Sequence, residues 1–104
     1  MSEPIKTAPT LEDLRARRAE ILAIAEKYGA YNLRVFGSVA RGDATPNSDV
    51  DILVSFRAGT TLMDLSGLWQ DLEDMIGGTV DVVEDYDGLR ENFRQHILKD
   101  AVAL

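Results

Sequence analysis

Asp49 and Asp51 lie two residues apart at the start of a short apolar run, Ile52 to Val54. A run of this kind, apolar and partly β-branched, is typical of a buried strand. Residues i and i+2 of a strand point to the same face of the sheet, so the two carboxylates are expected to project side by side. Like charges at this separation repel, and a fold retains them only where a cation or a shared proton offsets the repulsion.

The second feature is the pair Gly37-Ser38, which follows a predicted strand over residues 31–36 and lies ten residues before Asp49. A glycine allows the backbone to approach an anion closely. The Ser38 hydroxyl and the amides at the start of a predicted short helix, residues 38–41, can donate hydrogen bonds to phosphate oxygens. A Gly-Ser pair alone usually makes only a turn. Beside two carboxylates that could bind metal, it indicates phosphoryl or nucleotidyl transfer.

A third carboxylate, Asp81, lies between Val80 and Val82 in a predicted strand. A single acid in a strand is often exposed at an edge, and that alternative stands for Asp81 taken alone. Together with Asp49 and Asp51, it predicts a site for two Mg²⁺ ions, which prefer hard oxygen ligands and keep water and phosphate in their shells. We expect Asp49 and Asp51 to bind both ions, and Asp81 to bind the ion on the nucleophile's side and to accept the nucleophile's proton.

The order of predicted elements, α-β-α-β-α-β-α, indicates an α/β (α+β) fold with a small mixed β-sheet flanked by helices. With 104 residues, the chain is expected to form one domain over residues 10–104, preceded by a flexible tail over residues 1–9. Beyond the segments already given, the predicted elements are a helix from Thr10 to Gly29, a strand over 49–56, a helix from Thr60 or Thr61 to Ile76, a strand over 79–84, a helix over 89–99, and a C-terminal segment, 101–104, that adds a short strand or packs on the sheet.

Charge and composition limit the classes of partner. The net charge of −7 disfavours non-specific binding to nucleic acid and would suit a basic protein partner, although it could equally serve solubility alone. The absence of cysteine excludes disulfide scaffolds and fits a reducing cytoplasm. No apolar run approaches the ~20 residues of a membrane span, and residues 1–10 contain no apolar signal segment, so we expect a cytoplasmic protein without membrane contact.

The spacing Gly37-Ser38, ten residues, Asp49-x-Asp51 resembles the signature of the DNA polymerase beta-like nucleotidyltransferase superfamily. The whole string over residues 37–54 is similar to its minimal nucleotidyltransferase (MNT) branch, and the segment 97–102 also fits. The resemblance implies an antitoxin that uses magnesium to transfer AMP from ATP to a tyrosine of a HEPN-domain RNase toxin. It further implies triphosphate binding by Gly37 and Ser38, and metal binding by Asp49, Asp51 and Asp81.

The same string contains Ala-Arg-Gly-Asp, in which Arg41 could pair either with a nucleotide phosphate or with Asp43. Three further groups have ordinary structural interpretations. His96 is expected at a solvated helix position, and Trp69 in the core or as an anchor that faces a partner. The last group is expected to form a solvated helix face: Arg15, Arg17 and Arg18.

The leading hypothesis is therefore an ATP- and magnesium-dependent protein adenylyltransferase that acts as an antitoxin. The first alternative is a non-catalytic antitoxin that neutralises the toxin by direct binding. A third hypothesis is nucleotidyl transfer to a small molecule, which would need a substrate-binding domain from a partner chain. The small size of the chain favours a protein substrate, because it leaves no room for the extra domain with which larger relatives recognise RNA ends or aminoglycosides.

Overall fold

The computed structural model describes residues 8–86 and 88–104. Residues 1–7 of the predicted tail lie outside the described residues. The described ranges contain five helices and four strands: α1 (Leu11–Ala16), α2 (Arg18–Lys27), β1 (Ala30–Phe36), α3 (Gly37–Arg41), β2 (Val50–Phe56), α4 (Leu62–Ile76), β3 (Val80–Glu84), α5 (Glu91–Leu98) and β4 (Val102–Ala103).

The four strands form one mixed sheet in the order β3-β2-β1-β4. β2 and β3 are parallel, whereas β1 is antiparallel to both β2 and β4. The β1–β2 register shifts between Tyr31 and Arg34, and Asn32 in this irregularity has φ of 54°. The C-terminal segment forms β4, which is the first of the two outcomes predicted for it. The predicted mixed sheet flanked by helices is confirmed.

Alternation along the strands gives the sheet two chemically different faces. One face packs against α1, α2 and α4 in the main apolar core, which includes Ile52 and Val54 of β2. The opposite face carries Asp51 and, through the register Asp51↔Asp81, the third carboxylate. Arg34 lies on this second face because it pairs with Leu53. The core therefore fixes the strands from one side, and Asp51 and Asp81 lie on the other, which also contains the buried Leu53.

The first predicted helix is divided at Arg17, where the backbone leaves helical geometry with φ of −106° and ψ of 19°. Its predicted start is confirmed, because Thr10 Oγ1 accepts a hydrogen bond from the Asp13 amide at 3.0 Å. The three arginines are exposed as predicted, but two of them are not merely solvated. Arg15 Nη2 donates to the carbonyl of Ala103 at 2.8 Å, and Arg17 Nη1 donates to the carbonyl of Met75 at 2.7 Å.

Helix α4 begins at a capping box, in which the Thr61 hydroxyl and the Asp64 carboxylate each bond to the other's amide. It ends at Gly77, whose φ of 78° favours glycine.

Trp69 is partly buried, and its Nε1 donates to the carbonyl of Val80 at 2.5 Å, so of its two predicted roles the structure shows packing against the core. In the part of the chain that the structure describes, no helix combines the length and apolarity that crossing a membrane requires.

Candidate active site

Asp51 is the centre of the candidate site. The parallel register of β2 and β3 places Asp51 directly opposite Asp81, with both side chains on the same face. The strand begins one residue later than predicted, so Asp49 lies just before β2. The Asp49 side chain is exposed. The predicted association of these acids is supported by electrostatics. Partial burial, then the charge of Asp81, then that of Asp49 raise the pKa of Asp51 to about 6.

The carboxylates provide hard oxygen ligands. Burial first, and then the charges of Asp81 and Asp49, disfavour the ionised form of Asp51, which a divalent cation would stabilise. Among the described residues, however, no group of three or more acidic, histidine or cysteine side chains is arranged to hold a metal ion by itself. Magnesium is commonly bound by one or two carboxylates, with water and substrate phosphates completing its shell. The residues therefore fit a shared site of that kind, and binding of two ions stays a prediction.

Gly37 contacts the Asp51 carboxylate. β1 ends at Phe36, which pairs with Asp51, and the chain turns at once into α3. Gly37 has φ of 73°, and a Cβ atom built at this position would overlap Asp51 Oδ2. Glycine is therefore required for two reasons, the backbone conformation and the space that the carboxylate occupies. The sequence predicted an anion-binding role for Gly37, and the structure adds its contact with Asp51.

Ser38 is the second residue of α3 and is half-buried, directly after the glycine that contacts Asp51. The backbone turns again at Gly42, where φ is 82°, and the amides of Gly42 and Asp43 both donate to the carbonyl of Ser38 at 3.0 Å. Both bonds satisfy the Ser38 carbonyl where the short helix ends. Triphosphate binding by Gly37 and Ser38 stays a prediction, for which the location beside Asp51 is the support.

Arg41 is the last residue of α3, and two carboxylates hold it. Its Nε donates to Asp43 Oδ2 at 3.2 Å and its Nη1 donates to Asp100 Oδ2 at 3.0 Å. The predicted pairing with Asp43 is present, whereas the bond to Asp100 was not foreseen. The charge of Arg41 offsets a small part of the rise in the pKa of Asp51. Direct contact between Arg41 and a phosphate stays a prediction. His96 is exposed on α5, as expected.

The family described as nucleotidyltransferase domain matches this chain over residues 19–104. Among curated relatives, the Thermococcus cleftensis protein named protein adenylyltransferase MntA is 34% identical over 94 residues, which cover 89% of this chain and 94% of the relative. A Methanocaldococcus jannaschii relative named "Putative protein adenylyltransferase MJ0435" is 38% identical over 85 residues, which cover 82% and 90% of the two chains.

Solved structures give the same architecture. The one named "Structure of putative minimal nucleotidyltransferase" superposes with a TM-score of 0.80 at 45% identity and covers 92% of this chain and 97% of its own. A chain from a crystal structure named as a toxin-antitoxin with AMP-PNP has a TM-score of 0.68 at 21% identity, covering 82% and 69% of the two chains. This second likeness shows the fold alone. The first confirms the fold class predicted from the sequence.

Proposed function

The chain belongs to the nucleotidyltransferase domain family, and from that premise we propose that it is an antitoxin with protein adenylyltransferase activity. It transfers AMP from ATP to a tyrosine of a cognate HEPN-domain RNase toxin and thereby silences that toxin. The observation that carries the transfer chemistry is the position of Asp51, which lies opposite Asp81 across two parallel strands and in contact with Gly37. The names of the two curated relatives support the choice of a protein substrate.

In the proposed reaction, the tyrosine oxygen forms a bond to the α-phosphorus of ATP as the bond between that phosphorus and the bridging oxygen breaks, and diphosphate leaves. Bound magnesium, two ions by our proposal, would activate the attacking oxygen and stabilise charge on the leaving one. Asp49 and Asp51 would hold the metal, and Asp81 would add a ligand on the nucleophile's side. Asp81 is exposed on the edge strand β3, where an approaching protein can reach it, and it accepts the phenolic proton. Catalysis of this kind is mostly positioning and charge stabilisation.

The nucleotide is held on the opposite side of Asp51 from β3. Gly37 leaves space for a close approach, and Ser38 donates to the triphosphate oxygens from the first turn of α3. Arg41, three residues after Ser38, contributes positive charge at the end of the same helix. The crystal structure named as a toxin-antitoxin with AMP-PNP, which shares this fold, supports ATP as the substrate and a toxin as the partner. We place the reaction in the cytoplasm, where ATP and a toxin that cleaves RNA would meet.

The test is to mix the purified chain with ATP, magnesium and the HEPN toxin encoded beside it, and to measure the mass of the toxin. We expect the toxin to gain the mass of one or more AMP units on tyrosine, and its RNase activity to fall in parallel. The double variant Asp49→Ala/Asp51→Ala should bind the toxin but add no mass, since two of the three proposed metal-binding carboxylates are gone.

One outcome would favour the alternative of neutralisation by direct binding. If the wild-type chain suppresses the RNase activity without any gain in toxin mass, and the double variant suppresses it equally well, the carboxylates have no catalytic role. Titration of magnesium separates the two functions further, because AMP transfer should require the ion and direct binding should not. Omission of ATP gives the matched control for both.

A further inference from the structure

Arg41 is held at two of its nitrogen atoms by carboxylates that come from different parts of the chain. Asp43 is two residues away and its side chain is 62% exposed, whereas Asp100 is 59 residues away and its side chain is only 26% exposed. The bond to Asp100 is the larger cause of the raised pKa of the Arg41 guanidinium. Each carboxylate accepts one hydrogen bond from Arg41, but Asp100 is the more distant in sequence and the less exposed of the two.

The fold fixes the position of Asp100. It lies in the turn between α5 and β4, where its amide donates to the carbonyl of Ile97 at 3.3 Å. Two residues later, Val102 pairs with Val35 near the end of β1, which leads directly into α3. Arg15 fastens the same strand through its bond to the Ala103 carbonyl. Asp100 is thus anchored to the sheet, while Asp43 lies in the loop that follows Arg41 itself.

The geometry leaves one edge of the guanidinium available. Arginine carries five N–H donors in a rigid planar fork, and the two carboxylates occupy Nε and Nη1. Within the described ranges, 8–86 and 88–104, Nη2 makes no hydrogen bond. The charge of Arg41 also offsets a small part of the rise in the pKa of Asp51. A guanidinium fixed at two nitrogen atoms, on the short helix that begins at Gly37 beside Asp51, is arranged to receive a phosphate oxygen at Nη2.

From this arrangement we infer that Asp100 is a positioning residue, which orients Arg41 for the triphosphate of the nucleotide. The inference rests on the proposed function. Asp100 holds the long Arg41 side chain in one conformation before the nucleotide binds. Less conformational entropy is therefore lost on binding. The effect of Asp100 therefore falls on nucleotide affinity, and the transfer step after binding is unchanged. Asp43 shares the ion pair, but it lies in the exposed loop directly after Arg41, so it orients Arg41 less.

The test uses the full chain with magnesium and compares Asp100→Asn with the matched control Asp43→Asn. We expect Asp100→Asn to raise the KM for ATP about three- to tenfold, as for a single ion-pair partner at a partly exposed site, with kcat changed less than about twofold. Binding of inorganic tripolyphosphate should weaken by a similar factor, and that of adenosine should not. Asp43→Asn should change these constants less than about twofold, and Asp100→Glu should restore part of the affinity.

Three results would overturn the inference: an unchanged KM in Asp100→Asn, a fall in kcat at constant KM, or equal effects from Asp100→Asn and Asp43→Asn. Thermal unfolding of each variant identifies the fraction that is folded at the assay temperature, so the binding constants refer to folded protein. The proposed function fails separately, if the wild-type chain binds tripolyphosphate but transfers no AMP. In that event the tripolyphosphate comparison still decides the role of Asp100.

Discussion

The parallel strands β2 and β3 carry carboxylates near both of their ends, and the pKa is raised for one of these carboxylates and lowered for the other. At the beginning of the strands, Asp51 lies with Asp49 and Asp81, and its pKa is raised to about 6 by burial and by these neighbours. Just beyond the end of β3, Asp85 accepts hydrogen bonds from Arg94 at 3.0 Å and Arg34 at 3.2 Å. The bond from Arg94, followed by that from Arg34, lowers the pKa of Asp85.

The ionised Asp85 carboxylate stabilises the fold, whereas the ionised Asp51 carboxylate destabilises it. Asp85 and Arg34 are largely buried together, with side chains 13% and 14% exposed, and each satisfies the other's charge. Asp51 has acidic neighbours at close range, and its ionised form is disfavoured in the metal-free chain. A retained destabilising cluster of this kind is typical of a functional site. Substitutions at the two ends should therefore have opposite effects on stability and on activity.

The strongest test of this contrast is Asp51→Asn. We expect AMP transfer to fall about a thousandfold or more, because the variant loses the carboxylate that, in the proposed mechanism, positions the metal charge near the reacting phosphate. The metal-free variant should meanwhile be more stable than the wild type by about 1 kcal/mol, once solvent screening of this partly exposed group is allowed for. Initial rates and urea unfolding measure the two effects.

Asp74→Asn is the control, since Asp74 is an exposed acid on α4 outside the cluster. It should change neither quantity appreciably. Retention of activity by Asp51→Asn would remove Asp51 from the mechanism, and a loss of stability in the metal-free variant would contradict the view that the fold merely tolerates this carboxylate.

Gly37→Ala should have the next largest effect, about a hundredfold in transfer rate. The added methyl group would overlap Asp51 Oδ2 and displace the carboxylate, and φ of 73° is unfavourable for alanine. Gly59→Ala is the matched control, because Gly59 has φ of 88° but open space around its Cβ position. It carries the backbone strain without the overlap. If both variants lose activity equally, the contact with Asp51 is not what Gly37 provides.

The cluster around Asp51 could be predicted from the sequence because its arrangement follows from local rules. The i, i+2 relation of Asp49 and Asp51 needs only that the segment be a strand or lead into one. Asp81 needs only that the next strand along the chain, Val80–Glu84, lie parallel beside the first, which is where the structure places it. The resemblance indicated the same residues, and the structure places two of them, Asp51 and Asp81, at paired positions of neighbouring strands.

The other end of the strands offered no such pattern. Asp85 and Arg34 are 51 residues apart, as Asp100 and Arg41 are 59 residues apart, and no local periodicity relates residues at such separations. The division between α1 and α2 was also not predictable, since Ala16, Arg17 and Arg18 are all good helix formers. At that point Arg17 bonds to the last turn of α4, a tertiary contact that intrinsic helix propensity does not contain.

Asp85→Asn tests the supporting role of the second carboxylate. We expect the free energy of unfolding to fall by about 2 kcal/mol, because Arg34 would be left largely buried without its anionic partner. Transfer by the folded protein should change less than about twofold, since Asp85 is remote from the cluster along β3. Glu84→Gln, adjacent and exposed, should leave stability unchanged. Equal stability of the Asp85→Asn variant and the wild type would show that the two ends do not differ as described.

The smallest expected effect is the pH dependence of stability in the metal-free protein. Because the pKa of Asp51 is about 6 in the folded chain, above its ordinary value of 3.8, the folded state binds more protons between these values. The unfolding free energy should therefore decline as the pH rises from 4 to 7, by about 1 kcal/mol from this group after solvent screening.

Asp85 acts with the opposite sign, because its pKa is lowered: its stabilisation is present at neutral pH and is lost as the pH falls below 4. Urea unfolding in a chelator should show a flatter curve between pH 4 and 7 for Asp51→Asn, and a smaller loss below pH 4 for Asp85→Asn. If Asp51→Asn keeps the wild-type slope, its carboxylate is not under the repulsion that distinguishes the two ends of the strands.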